Sequence, residues 1–492
     1  MTVGKVYLVG AGPGDIELIT VKAKRHLMEA DVILYDRLIN PLLLSIVRSE
    51  AELIYVGKLP DRHILRQDAI NDLLVEKAKE GKKVVRLKGG DPSVFGRVGE
   101  EAEELALHDI PYEIVPGVTS SIAAASYAGI PVTHREYGYS FAVVTGHDKS
   151  KSGQPLIDWA ALSGIDTIAF YMGVGNIQYI TEQLISNGRT PETPVILIQW
   201  GTYSRQRTLE GTIGTIAEKV KETKFSNPAI TLVGNIVDLR KKLAWFEKTP
   251  LFGKQIMVAR TSNENSKLTS SLVEHGAEVF HYPAYKVDSI VEKAGKEFKD
   301  ITNAKNIFFL SPESIDYFFE GLAYHQIDIR FIQAKLFVGS VKSKRKLTQY
   351  GCLSESVEEL NRQDPIVTIG GQMTERKKEK LKQQLGDFTH IVTHEQVIDS
   401  NKQMICNRVL EEGTVTTLLF PSAASVEAFM LGLQQLGRNP LEEVLKWEII
   451  CFGEKSTKAA KENGFHTVET LAEPSIDSLV NHLSQSNQLA VE

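Results

Sequence analysis

From residue 4 to about residue 115, the apolar runs VYLVG, VILYD, LIYVG and KVVRLKGGD alternate with stretches whose apolar residues recur at helical spacing. In AINDLLVEKAKEGK, for instance, Leu73, Leu74 and Ala78 keep that spacing. Short apolar strands alternating with amphipathic helices predict βαβ units and a parallel sheet. A second group, FAVVTGH, TIAFYMG, PVILIQWGT and PAITLVG, repeats the alternation. Residues 1–247 are therefore expected to form two α/β lobes, at about 1–115 and 135–245. After the helical KKLAWFEK, the Pro and Gly of TPLFGK break the pattern before a fresh strand, QIMVAR. The main boundary is placed there, and the two halves are expected to have separate cores.

Residues 251–492 contain an internal repeat. FLSPESIDYF matches FPSAASVEAF in its seryl turn, helical apolar spacing and closing Phe, and FVGSVKSKRKLTQYG matches CFGEKSTKAAKENG further on. Each unit reads strand, small-residue turn, helix, then strand, glycine turn, helix. Two lobes with flavodoxin-like parallel sheets are predicted, which makes the whole chain α/β.

The loop GAGPGD after the first strand raises the possibility of a dinucleotide cradle, with Asp36 near the place of a ribose-binding acid. The spacing differs from GxGxxG, and Pro13 lacks a backbone donor where an anion needs one. A nicotinamide-dependent oxidoreductase fused to a two-lobed sensor is thus disfavoured. Composition narrows the rest. At 492 residues the chain needs several domains. Its formal net charge of −6 argues against nucleic acid as a default partner. Cys352, Cys406 and Cys451 form no CxxC and no metal spacing, so reduced thiols in the cytoplasm and no metal site are expected. A strand begins within a few residues of the N-terminus and no apolar run approaches membrane-spanning length, so neither a signal peptide nor membrane insertion is expected.

Five stretches stand at predicted sheet ends: GAGPGD, YDRL, VGK, LKGGDPSVFGR and VPGVTSSIAAASYAGIPVTHR. With TGH, YMG, WGT and NPAITLVG further on, they resemble the uroporphyrinogen-III C-methyltransferases, within the tetrapyrrole methyltransferases that use S-adenosylmethionine. The resemblance covers nearly all of residues 3–245. It implies that the proline-containing loop lies beside S-adenosylmethionine in a cleft between lobes. Carried over by position, the cofactor contacts fall on Pro13, Gly89, Gly90, Asp91, Val94, Thr119, Ser120, Met172 and Gly201. Taken alone, KGGD reads as a tight turn. Methyl transfer to a pyrrole-derived carbon requires in-line approach and loss of a proton. The resemblance implies Asp36 as base and Lys58 as partner acid. The substrate carries eight carboxylates, and Arg86, Arg97 and Arg135 are the candidate anchors. Ser93 and Val98 stand where the family more usually has Phe and Gly. The glutamates of GEEAEELAL, which fall in the first turns of a helix, are expected to face the helix dipole and solvent.

Residues 253–490 resemble uroporphyrinogen-III synthase, through MVARTSNENSKLTSSLVEHGAEVFHYPAYKV, the repeated seryl turns and CFGEKSTKAAKENGFHTVETLAEPSIDSLV. The resemblance implies interleaved lobes, one of 251–285 with 398–492 and the other of 286–397, with a linear tetrapyrrole between them. Ser311 and Ser422, at helix starts, and Gly339, Gly453 and Ser456, at the glycine turns, are candidate holders of acetate and propionate groups. Taken singly, each serine reads as an N-cap. Lys342 stands where many synthases have threonine, and a tyrosine at the close of the lobe linker is replaced around Thr393. Either that tyrosine is dispensable or this half binds without efficient catalysis. Together the resemblances imply closure of hydroxymethylbilane to uroporphyrinogen III and its double methylation to precorrin-2, towards sirohaem or cobalamin, in a chain that is a homodimer through the methyltransferase half. The other reading keeps the methyltransferase and makes the C-terminal half a non-catalytic tetrapyrrole-binding or regulatory module.

Overall fold

The computed structural model describes residues 3–57, 66–147, 156–261, 267–373 and 375–489. In the first lobe, β1 (Lys5–Gly10), β2 (Val32–Tyr35), β3 (Glu52–Tyr55), β4 (Lys83–Lys88) and β5 (Tyr112–Val115) form an all-parallel sheet in the order β3-β2-β4-β1-β5. The period of two along β1 sends Val6 and Leu8 into one apolar cluster and Val9 into another, so helices cover both faces. β1, β2 and β4 end side by side at Gly10, Tyr35 and Lys88, and the loops that follow them carry Pro13, Asp36 and Gly89. Open parallel sheets bind ligands at this carboxyl edge.

The second lobe departs from the parallel pattern. β6 (Phe141–Thr145), β7 (Thr167–Tyr171), β8 (Pro194–Gln199), β9 (Arg207–Thr212) and β10 (Ala229–Val233) lie in the order β6-β7-β10-β8-β9, and only β6 and β7 are parallel. Residues 200–206, between β8 and β9, are too few for a crossover helix, so the chain turns straight back.

Ten further strands follow among the described residues. They are β11 (Gln255–Ala259), β12 (Glu278–Tyr282), β13 (Tyr285–Ser289), β14 (Asn306–Phe309), β15 (Lys335–Val338), β16 (Ile366–Gly371), β17 (Phe388–Ile398), β18 (Thr417–Phe420), β19 (Glu448–Cys451) and β20 (Glu469–Thr470). The order β12-β11-β18-β19-β20, all parallel, is the flavodoxin order 2-1-3-4-5. In the sheet β13-β17-β16-β14-β15, the strands β14 to β17 repeat the order 2-1-3-4, and the fifth place, at the edge, is taken by β13, which precedes them in the chain and runs antiparallel to β17. Ala284–Asp399, which carries this last sheet, is a compact unit of its own, and the rest of the chain forms a second.

Within that larger unit the cores are not separate. Leu42, on the 3-10 turn Pro41–Ile46 of the first lobe, packs against the cluster holding Phe420 and Phe429. Ile405, on the helix Ser400–Glu411, joins the first lobe's cluster around Ile33 and Leu87. The expectation of independent cores fails because that helix turns its apolar side onto Pro41–Ile46, and neither surface is then exposed to water. No helix among the described residues is long and apolar enough to cross a membrane.

A carboxyl group lies at this junction. Glu278 keeps a rim of accessible surface, but its oxygens accept hydrogen bonds from Asn40 Nδ2 and Gln255 Nε2, each at 3.1 Å, from residues 4% and 1% exposed. Burial pushes its pKa up to about 7, with Arg205 and the Asn40 bond opposing and Glu412 and Asp15 adding. The folded chain therefore holds this proton more tightly than the unfolded one. The associated stability is fully present below about pH 4.5 and is lost as pH rises through about 7. Glu278→Gln, which cannot ionise, is expected to gain melting temperature over the wild type at pH 8 relative to pH 5. An equal difference at the two pH values would sink the assignment.

Candidate active site

At the carboxyl edge of the first sheet, three backbones approach closely. A Cβ on Gly117 would stand 2.3 Å from the Gly90 carbonyl oxygen, and one on Gly10 would stand 2.6 Å from the Gly117 nitrogen. Gly12 and Gly90, at φ +78° and +68°, exchange hydrogen bonds of 3.2 and 2.7 Å between their amides and carbonyls. Those amides face each other, and Pro13 has none, so the loop is not a phosphate cradle.

Above this floor lies a cavity of about 560 Å³. Its lining includes all nine positions expected to touch the cofactor: Pro13, Gly89, Gly90, Asp91, Val94, Thr119, Ser120, Met172 and Gly201. Asp36, Arg86 and Arg97 line it too. Arg135 is exposed and is not among the lining residues, and Lys58 lies outside the described residues. Phe95, Arg97, Met172 and Trp200, all at the cavity, hold φ between 49° and 59°. Left-handed backbone at non-glycine residues is costly and persists where the surroundings enforce it.

Asp91 is more constrained than its motif suggested. One oxygen accepts from the Ser93 amide at 2.7 Å and the other from the Gly117 amide at 3.0 Å, so the carboxylate ties the KGGD turn to the floor and keeps only its remaining lone pairs for a ligand. Ser93 contributes through its backbone, which the exchange of side chain leaves intact. Across the cavity, the Tyr171 hydroxyl joins Thr119 Oγ1 at 2.6 Å and accepts from the Ser121 amide at 2.8 Å, fixing the start of the helix Ser120–Tyr127.

Asp36 follows β2, with Oδ1 accepting from the Leu38 amide at 3.0 Å and Oδ2 3.6 Å from Arg86 Nη2. Arg86 reaches the cavity, yet it is 4% exposed and donates to Glu101 at 3.2 Å and to the Leu87 carbonyl at 3.1 Å. Its guanidinium is held in place rather than projecting freely towards a substrate. Arg97 pairs with Glu100 on the helix Val98–Leu107.

The glutamates of the run do not all face solvent. Glu101 is wholly buried, and its Oε1 accepts from Lys88 Nζ at 2.7 Å, from Arg86 Nε, and from Gln67 Nε2 at 3.2 Å. One helical position turns inward, and two buried cations on β4 draw the carboxylate with it. Burial pushes the Lys88 ammonium below its ordinary range, Arg86 adds to this, and Glu101 opposes it. Lys88 and Gln67 line the cavity and were not anticipated. The alternation of KVVRLK, with cations two apart on one face, was the available signal.

In the C-terminal half, Ser311 and Ser422 form reciprocal capping boxes with Ser314 and Ser425 at the helices Pro312–Tyr324 and Ala423–Gln435. Their hydroxyls are engaged in capping, and Pro312 removes one free donor. Gly453 caps the helix Glu454–Glu462, where Ser456 Oγ donates to the Gly453 carbonyl at 2.8 Å. Gly339 precedes Ser340, which caps Val341–Gln349, and Lys342 is exposed on that helix. Thr393 is buried inside β17 and does not close a linker, because the strand continues to Ile398.

Removing the Glu101 charge alone leaves buried Lys88 without its carboxylate and Arg86 with only Asp36, 3.6 Å away. Glu101→Gln is expected to cost about 3 kcal/mol or more of unfolding free energy in chemical denaturation. A cost below about 1 kcal/mol would mean that water or relaxation already screens the cations.

Comparison with known proteins agrees with the two-part reading. Residues 5–217 match the family Tetrapyrrole (Corrin/Porphyrin) Methylases, and residues 266–481 match Uroporphyrinogen-III synthase HemD. A uroporphyrinogen-III C-methyltransferase of Bacillus subtilis (strain 168) is 43% identical over 467 residues, 95% of each chain. The porphyrin biosynthesis protein HemD of Ruminiclostridium josui is 35% identical over 502 residues, 98% of this chain and 97% of its own. A uroporphyrinogen-III C-methyltransferase of Priestia megaterium is 58% identical over 236 residues, 48% of this chain and 99% of its own. The chain therefore belongs to the tetrapyrrole methylases, with a uroporphyrinogen-III synthase segment following in the same chain, and is a bifunctional enzyme of tetrapyrrole biosynthesis.

Proposed function

We propose that the C-terminal half closes hydroxymethylbilane to uroporphyrinogen III and that the N-terminal half methylates this product twice with S-adenosylmethionine, giving precorrin-2. The observation that carries the reading is the convergence of nine expected cofactor positions and Asp36 on one cavity. The residues fit such a ligand: Gly89, Gly90 and Gly201 keep side chains out of the cavity, and a Cβ on Gly201 would meet Ala124 at 2.3 Å. Pro13, Val94 and Met172 offer apolar contact, and Asp91, Thr119 and Ser120 offer polar atoms. S-adenosylmethionine, when bound, supplies an electrophilic methyl group on a sulfonium.

The chain's own part is positioning and proton removal. Asp36 accepts the proton lost from the ring carbon, oriented by the Leu38 amide and by Arg86. Arg86, its charge matched by Glu101 and Asp36, offers an acidic side group of the substrate a fixed donor rather than a net positive field, and Arg97 and Arg135 are the outer anchors. Lys58 is the partner acid by family position. In the synthase half, the free amides at the helix starts beside Ser311 and Ser422, and the turns at Gly339, Gly453 and Ser456, hold acetate and propionate groups. A cytoplasmic location is supported by three free cysteines. A homodimer through the methyltransferase half is part of the proposal, supported by the exposed Tyr139, 83% accessible, and Leu156, 91% accessible.

Incubation of the full chain with hydroxymethylbilane and labelled S-adenosylmethionine is expected to give labelled precorrin-2. Type I isomer alone, formed at the uncatalysed rate, would reduce the C-terminal half to a binding module. Asp36→Asn is expected to lower methylation about a hundredfold or more while leaving cofactor affinity nearly intact. Turnover near that of the wild type would remove Asp36 from the role of base. Gly90→Val puts a branched side chain at φ +68° beside the cavity, and cofactor binding by calorimetry is expected to collapse. Unchanged affinity would place the cofactor elsewhere.

A further inference from the structure

The helix Ser400–Glu411 belongs to the C-terminal half, yet it reaches the methylation site from outside. Arg408 Nη2 donates to the Arg37 carbonyl at 2.5 Å and lies 3.4 Å from that of Ile39, and its guanidinium sits 5.9 Å from the Tyr55 ring centroid. Arg37 and Leu38 line the cavity beside Asp36. Arg408 Nε also donates to Glu412 Oε1 at 3.3 Å, and Glu412 Oε2 accepts from Arg205 Nη2 at 3.0 Å. Arg205 in turn covers the ring of Trp200, 4.1 Å from its centroid, and Trp200 lines the cavity from the second methyltransferase lobe. Arg408, Glu412 and Arg205 thus form a continuous charged relay from the backbone next to Asp36 to the Trp200 indole. A second tie runs parallel: Asn40 Nδ2 donates to the Gly14 carbonyl of the cofactor loop at 2.9 Å and to Glu278 of the C-terminal half.

We infer that the C-terminal half supplies positioning residues for methylation, with Arg408 setting the Asp36 segment and Glu412, through Arg205, setting Trp200. The inference rests on the proposed methylation at this cavity. Its physical basis is the backbone after β2. Asp36 reaches the cavity from a segment with one internal hydrogen bond of its own side chain, Leu38 N to Asp36 Oδ1. One guanidinium nitrogen, Nη2, meets the carbonyls of residues 37 and 39 while Nε is held by Glu412, so the segment is tied to a side chain that is itself fixed. These carbonyls are strong acceptors that otherwise require water. Arg408 touches no expected position of substrate or cofactor, so it is a positioning residue and not a catalytic one. A displacement of about 1 Å at a reacting group costs up to about a hundredfold in rate, so a loosened Asp36 segment lowers kcat while leaving cofactor contacts on β4 and the second lobe in place.

The test uses the full chain and three readouts: kcat for methylation of supplied uroporphyrinogen III, Kd for S-adenosylmethionine, and the rate of type III closure of hydroxymethylbilane. Wild-type methylation is the reference, and its absence would count against the proposed function before any variant is compared. Arg408→Ala is expected to lower kcat about tenfold or more, with Kd and the closure rate within about twofold of wild type. Arg408→Lys, which keeps a charged nitrogen donor for the carbonyls but loses the Nε bond to Glu412, is expected to recover part of the loss. Glu412→Ala, which releases both arginines, is expected to lower kcat as well. A kcat within about threefold of wild type in Arg408→Ala would overturn the inference. So would an equal fall of all three readouts, which marks a merely structural residue, or an Arg408→Lys variant no better than Arg408→Ala.

Discussion

The close approach of the backbones at Gly10, Gly90 and Gly117 is the constraint from which the cavity of the N-terminal half follows. A side chain at Gly10 or Gly117 would collide with main chain at less than 3 Å, and main chain at the core of a parallel sheet has little freedom to yield. With these three positions bare, the loops after β1, β4 and β5 fold against one another, and Asp91 fixes their spacing from the Gly117 amide. The cavity is the space left above the loops. Its shape is therefore set by main-chain contact, which varies less with thermal motion than rotameric side chains do.

Beneath this floor, charge is arranged in the opposite manner from a solvent-facing cluster. Arg86, Lys88 and Glu101 have no more than 5% of their surface exposed, and Asp36 stands at their cavity side. Two cations and two carboxylates balance, which limits the desolvation cost of burying them. The balance also leaves Arg86 shared between a wholly internal partner and one at the cavity. A group held from behind in this way reaches a ligand with its orientation already fixed, so less conformational entropy is lost on binding.

Much of this was legible in the residue pattern because it is local. Apolar runs of four to six residues located strands such as β2 and β4, and the serines before helical spacing at Ser311 and Ser422 marked N-caps through bonds three residues away. The positions that the resemblance assigns to the cofactor line one cavity because their motifs lie at the ends of strands that the sheet order brings together. What remained hidden was long-range. The antiparallel placement of β8, β9 and β10 depends on the shortness of one connection, and the inward turn of Glu101 depends on cations on a neighbouring strand. Ile405 and Ile33 share one apolar cluster though far apart in the chain, and neither residue's local pattern names the other. Lys58 was placed by motif alone.

The pairing of β13 with β17 has a consequence for how the chain can be cut and rejoined. Tyr285 stands opposite Ile398, and the Asp399 amide donates to the Ala284 carbonyl at 2.9 Å, so the chain enters and leaves the unit Ala284–Asp399 at neighbouring points. Adjacent ends are the geometry that domain insertion exploits. The natural seam of this chain consequently lies at residues 283 and 400 rather than at the linker near residue 250. A short peptide bridging that seam would excise the inserted unit as a module, whereas a cut near 250 would part surfaces that share an apolar core.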